Sequence, residues 1–203
     1  MPLLNEPGSY GAITKFFHWI VVLAFALQYA AGYTMTSLAR NETALGLTQA
    51  NFYNWHKSIG LIALLFASFR LLNRHFDRLP NWAPNLTRTE KRMMHDYETA
   101  LYLAMFLMPV SGFIYVMAGG YGVHFLELAH LPNPIGKRPL LAEIAKWTHI
   151  LYGYAVLIAL AAHMSVVFRH QLVLQDGILW RMLPRRRHRQ AASKNPSSIT
   201  NAE

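Results

Sequence analysis

Ten histidines and no cysteine set the chemical possibilities of this chain of 203 residues. Without thiols there are no disulfides, no thiolate metal sites, no iron–sulfur clusters and no Cys-x-x-Cys-His attachment of a c-type haem. A metal or a porphyrin would have to be held by side chains such as imidazole. Two of the histidines, His149 and His163, stand fourteen residues apart. On a helix that is almost four turns, so the two share one face and lie about 21 Å apart along the axis. Such spacing suits two porphyrins stacked one above the other in a helical bundle, each taking one ligand from this helix and one from another.

The elements that would position these side chains are membrane helices. The chain is 53% hydrophobic and only 14% charged, with a mean hydropathy of +0.17; a soluble domain carries about a quarter charged residues. The deficit concentrates in four apolar stretches, 14–35, 54–73, 97–118 and 147–170, each near or above the roughly 18 residues needed to cross a bilayer. The expected fold is all-α, an integral membrane four-helix bundle over 1–186. A polar tail, 187–203, is expected to be disordered and drawn to anionic membrane lipid by its arginines. The first stretch has little basic n-region and is too long for a signal peptide, so it is expected to stay as the first membrane helix. The apolar piece 124–131, closed by Pro132 and Pro134, is too short to span and is expected to lie along the outer membrane surface.

The net charge of +9 does not point to nucleic acid, because the basic residues flank the apolar stretches as topology determinants do. Arg70, Arg74, Arg78, Arg88, Lys91 and Arg92 lie between stretches two and three, and Arg169, Arg181, Arg185, Arg186, Arg187 and Arg189 follow stretch four. The other two connections hold fewer cations (Arg40 and Lys57; Lys137, Arg138 and Lys146), offset by Glu42, Glu127 and Glu143. The positive-inside rule then puts both termini in the cytoplasm.

An ionisable side chain inside a bilayer is costly, and therefore a functional candidate. Four histidines fall within or at the edge of the stretches: His18, His56, His149 and His163. With the topology above, His18 and His163 lie toward the cytoplasmic side and His56 and His149 toward the outer side, one pair for each of two haems. Gly60 follows His56 by four residues and Gly153 follows His149 by four, one turn inward on the ligand face. A flat macrocycle needs side chains missing there, and close helix–helix contact needs them missing too. Arg70, fourteen residues after His56, is a candidate partner for a propionate of the inner haem, or an ordinary positive-inside arginine. Trp19, Trp55 and Trp147 are read as interfacial belt residues. His75, His124, His130, His170 and His188 are read as solvated. His95, with Asp96 and Glu98, reads as a helix start with acids favoured by the dipole; the competing role is passing protons to a quinone. With both axial positions filled, iron has no open site for oxygen, and the task is outer-sphere electron transfer.

The motifs F-F-H-W at His18, N-W-H-K-S-I-G around His56, L-M-P-V-S-G in the third stretch, and W-T-H-I-L-Y-G and A-A-H in the fourth, followed by L-W-R-M-L-P-R-R, resemble the bacterial cytochrome b561 family of four-helix, di-haem membrane cytochromes. The resemblance covers nearly the whole chain except the last dozen or so residues. It implies haem ligation by His18, His56, His149 and His163 and ubiquinone as electron acceptor. It also brings in a superoxide:ubiquinone oxidoreductase activity known in the family, with superoxide oxidised at the periplasmic face of the bacterial inner membrane. Lys57, Lys137, Arg138 and Lys146 would steer that anion. Glu98 departs from the pattern, standing where many relatives have a second histidine three residues after the one matching His95.

Three functions compete on these grounds. The leading one is a quinone-linked di-haem oxidoreductase. Its rival is a membrane cytochrome subunit that docks a partner dehydrogenase or hydrogenase and links it to the quinone pool; a homodimer is the other protein partnership considered. The third, a divalent metal shared by these histidines, is opposed by their grouping at opposite faces, since one zinc site needs its ligands within a few ångströms.

Overall fold

The computed structural model describes residues 2–82 and 86–183; the expected tail 187–203 lies outside them. Helices α1 (Ala12–Ser37), α2 (Gln49–Phe76), α3 (Arg88–Ala118) and α4 (Pro139–Phe168) are each long and apolar enough to cross a membrane. All four begin before their apolar runs, and in α2 and α3 a capping side chain satisfies free backbone groups of the first turn. Thr48 caps α2 in a reciprocal box with Asn51, and Thr87 caps α3 in the same way with Glu90. Pro139 opens α4, where its fixed φ suits the first turn and its missing N–H leaves no unmade bond.

Two helical hairpins, α1 on α2 and α3 on α4, join through α2 against α3. The polarity is that of a bilayer protein. Ala24, Ala63, Ala67, Ala104, Ala118, Ala142 and Ala145 are buried between helices, together with Gln28, Ser58 and Ser111. Leu27, Leu65, Leu103, Leu151 and Ile158 point outward, Ile158 with 72% of its surface exposed. Small residues let helix backbones approach closely where lipid removes any hydrophobic drive for association.

Two short hairpins mark the end of the bundle here called outer: β1 (Thr43–Ala44) with β2 (Leu47–Thr48), and β3 (His124–Phe125) with β4 (Ala129–His130). The second falls on the apolar segment 124–131. Left-handed φ angles at Gly122, Leu126 and Glu127 fold it back on itself, and α2 holds it. Ser58 Oγ donates to the His124 carbonyl at 3.3 Å and accepts from the Leu126 N–H at 2.9 Å. Lys57 Nζ donates to the Gly122 carbonyl at 3.1 Å, and Asn54 Nδ2 to Glu127 Oε1 at 3.0 Å.

At the inner end the chain before α1 lies across the α2–α3 connection, with the Asn5 N–H donating to Asp77 Oδ2 at 3.1 Å and the Asn81 N–H to the Pro7 carbonyl at 2.9 Å. Burial, and then the charge of Glu98, push the Tyr10 phenol above its ordinary pKa against the pull of Arg74, Arg181 and Arg70. After α4 the chain widens into a π-helical turn, Arg169–Leu174, and a short helix α5 (Ile178–Met182). Lys15 Nζ and Trp19 Nε1 donate to the carbonyls of Leu183 and Met182, each at 3.1 Å. This turn corrects the reading of His170 as solvated. Its side chain is 1% exposed, and Nδ1 lies 2.6 Å from Asp176 Oδ2. The acid reaches back from six residues on, around the left-handed Gln175 and Gly177, so a histidine at a span edge is enclosed by its own following turn.

Candidate functional site

At the outer level α2 presents His56 and α4 presents His149, with ring centroids 6.1 Å apart and planes at 90°. They flank a cavity of about 550 Å³ lined by Gln28, Gly60, Met108, Gly112 and Tyr121 among others, within the usual range for a cofactor site. The ring of His149 is held from α3: Nδ1 lies 2.7 Å from the Met108 carbonyl. If Nδ1 carries the proton that this acceptor requires, Nε2 keeps its lone pair free for a metal. Ser111 Oγ donates to the same carbonyl at 2.8 Å, one residue before Gly112. A Cβ on Gly112 would come within 2.8 Å of His149 Nδ1, so only glycine leaves the ring this room. On the other side Gly32 of α1 faces His56, where a Cβ would meet Cε1 at 3.5 Å. Gln28 Nε2 donates to the His56 carbonyl at 3.0 Å.

The two glycines singled out in the sequence behave differently. Gly60 lies against the Gln28 amide, with a Cβ 3.8 Å from its nitrogen, and it also lines the cavity. Gly153 would place a Cβ in open space, and its carbonyl accepts from Tyr29 Oη at 2.6 Å, tying α1 to α4 one turn inward of His149.

At the inner level His18 of α1 lies within electrostatic reach of His163 on α4 and of Arg70 on α2. Arg70 stands over the Tyr102 ring of α3, 5.2 Å from its centroid. Arg74, one turn on, pairs with Glu98 at 2.7 Å, so the residue that departs from the family pattern is an ion-pair partner, while His95 and Asp96 are exposed. Among the described residues, Nδ1 of His18 and of His56 is buried without a hydrogen-bond partner. A buried, unpaired imidazole nitrogen costs roughly 1–3 kcal/mol.

Two imidazoles on opposite sides of one first-row metal, each bonded at about 2 Å, hold their ring centroids about 6 Å apart. The His56–His149 pair has that separation across a cavity in the range of cofactor sites. No group of three or more His, Asp, Glu or Cys side chains among the described residues is placed to hold a metal alone. The residues present therefore fit a haem that brings its own four equatorial ligands, held non-covalently in a chain without cysteine.

The cations offered for steering an anion are largely engaged. Lys57 bonds to Gly122, Lys146 Nζ lies 2.6 Å from Glu143 Oε1, and Arg138 Nε donates to the Ile135 carbonyl at 3.3 Å. Lys137 lines a smaller outer cavity of about 230 Å³ with Glu143, Lys146, Tyr115 and Tyr121. Met108, Ser111 and Gly112 belong to the L-M-P-V-S-G motif of the third stretch but carried no individual role there, and Gln28 and Gly32 were not singled out. Gly32 carried a usable signal, standing fourteen residues after His18, the same interval that separates His149 from His163.

A membrane-spanning helical bundle with paired imidazoles facing one another in its interior is the architecture of a b-type membrane cytochrome. The sequence profile of the prokaryotic cytochrome b561 family matches residues 9–185. The chain is 26% identical over 191 residues to cytochrome b561 homolog 2 of Escherichia coli strain K12, covering 90% of this chain and 95% of that protein. It is 24% identical over 176 residues to cytochrome b561 homolog 1 of the same organism, covering 85% and 95%. The chain belongs to the prokaryotic cytochrome b561 family: it is a multi-pass membrane cytochrome that binds b-type haem and transfers electrons.

Proposed function

We infer that the chain holds two haems, an outer one between His56 and His149 and an inner one between His18 and His163, and carries electrons across the bacterial inner membrane to ubiquinone. The haem supplies a one-electron iron couple whose potential the surrounding protein sets. What carries the reading is the facing of His56 and His149 at 6.1 Å across the outer cavity. His149 is oriented by the Met108 carbonyl, and Gly112 and Gly32 keep α3 and α1 clear of the two rings. At the inner level Arg70 places a positive charge near His18 and His163, which suits an acidic group such as a propionate. The excess of arginine at that end supports cytoplasmic termini. Superoxide is the proposed outer donor, a one-electron reductant that leaves as dioxygen; Lys137, which lines the smaller outer cavity, favours an anion there.

The test is a reduced-minus-oxidised spectrum of the purified protein with haem counted per chain, followed by stopped-flow mixing with superoxide and with a ubiquinone analogue. Two low-spin b haems, reduced by superoxide and reoxidised by the quinone, are the expected result. Haem reduction only when a copurifying dehydrogenase or hydrogenase is present would replace the superoxide reading with that of a subunit. One haem per chain would remove the wire.

A further inference from the structure

The outer hairpin carries a second histidine pair that the haem sites do not use. His124 on β3 and His130 on β4 are register partners on directly opposed strand positions, and both are exposed. Their ring centroids are 4.5 Å apart with planes at 52°, nearer than the 6.1 Å between His56 and His149. For bonds of about 2 Å, two imidazoles on adjacent positions of one ion have centroids about 4.5 Å apart at a right angle and about 5 Å apart at the tetrahedral angle. The observed separation suits two imidazoles on adjacent positions of one ion, and for such a nitrogen pair Cu2+ binds most tightly of the first-row divalent ions.

The hairpin is arranged so as to hold the rings together. Gly122, at a φ of +68, stands where a Cβ would come within 3.0 Å of His130 Cε1, so a side chain there would push that ring away. The turn that reverses the strands puts Leu126 and Glu127 at left-handed φ angles of 51 and 61. A left-handed conformation costs roughly 1–2 kcal/mol at each such residue, and backbone strain of this kind persists only where the surroundings impose it. Here Ser58 and Asn54 of α2 impose it through the Leu126 N–H and the Glu127 carboxylate. Two left-handed central residues are the ordinary geometry of a tight hairpin turn, and here that turn sets His124 and His130 side by side.

We propose that His124 and His130 chelate one tetragonal divalent cation of the Cu2+ class at the outer mouth of the protein, with water filling the remaining positions. The proposal rests on the hairpin alone and is independent of the haem assignment and of the electron donor. The position is next to the outer haem cavity: the His124 carbonyl is bonded to Ser58, two residues beyond His56, and Tyr121 and Val123 of the same loop line the cavity.

The experiment titrates the full-length, haem-loaded protein, purified without a histidine tag, with Cu2+ while recording calorimetric stoichiometry and electron paramagnetic resonance. One Cu2+ per chain with hyperfine coupling from two imidazole nitrogens is expected. His124→Ala and His130→Ala should each weaken binding at least tenfold and leave coupling to a single nitrogen, with an unchanged haem spectrum showing that the fold is intact. Zn2+ should displace the Cu2+ only in large excess. Binding equal to wild type in both variants, a single-nitrogen signal in the wild type, or ready displacement by equimolar Zn2+ would each overturn the assignment.

Discussion

The outer and inner halves of the bundle place their histidines by different means. Outside, the means are shape and dipoles. A cavity separates His56 from His149, a carbonyl grips one ring, glycines of α1 and α3 leave room for both, and a hairpin bonded to α2 covers that end. Inside, His18 and His163 lie within reach of Arg70, which is stacked on Tyr102 beside the Arg74–Glu98 pair, and Arg169 pairs with Glu90 at the periphery. The outer site should therefore be sensitive to volume and the inner one to charge. Removing a ligand tests the frame itself and has the largest expected effect. His149→Ala should lose one haem and His163→Ala the other, each leaving the partner's spectrum in place, as read by haem per chain and low-temperature spectra. Loss of both haems in either variant would mean that the two halves do not fold their sites separately.

Next in size is Gly112→Ala. Its Cβ would intrude to 2.8 Å from His149 Nδ1 and drive the ring off the Met108 carbonyl. Disturbing the outer partner of a ligating histidine typically weakens metal binding 10–100-fold, so outer-haem affinity measured by titrating the apoprotein should fall by about that factor. Alanine is the better helix former by up to about 1 kcal/mol, so a loss cannot be attributed to the helix. Unchanged affinity would show that the carbonyl contact does not position His149.

How much of this was legible follows the same division. Four spans could be read because each is written in one helix at a time as apolar length, and the fourteen-residue interval likewise puts His149 and His163 on one face of α4. What could not be read lies between elements. Nothing local says that the Met108 carbonyl on α3 meets a ring on α4, or that Gln28 fills the space Gly60 leaves. The sequence offers Lys57 as a loop cation; two turns inside α2, its ammonium is spent on a loop carbonyl. The error at His170 has the same origin, since its acid partner is reached only because the helix widens to a π-turn and the chain reverses through two left-handed residues. Hydropathy carries no trace of either.

For the inner half the sharpest test is Arg70→Gln. Losing a positive charge near the inner haem favours the oxidised, more positive iron, so the inner midpoint potential should fall, by about 60 mV if the equilibrium for one electron changes tenfold. The outer potential, almost four helical turns away, should stay in place, as potentiometric titration of the two spectra would reveal. If the inner potential and occupancy are both kept, Arg70 is a positive-inside arginine whose stacking on Tyr102 is its whole contribution. If both potentials move together, the division between the halves is weaker than their geometry suggests.

The smallest effect, and the one that most sharpens the contrast, belongs to Gly153→Ala. Gly112 and Gly153 lie on facing helices, but a methyl at Gly153 would meet no protein atom within 4 Å. In the apoprotein the substitution therefore costs nothing in packing and gains helix propensity of roughly 0.5–1 kcal/mol, so thermal stability without haem should be unchanged or slightly raised. If the open space beside Gly153 is kept for the macrocycle, the same methyl should lower haem affinity a few-fold and shift the outer absorption band. Opposite signs in the two measurements would assign the space to the cofactor. A rise or no change in both would mean that Gly153 serves only the Tyr29 bond to its carbonyl, which a methyl leaves intact.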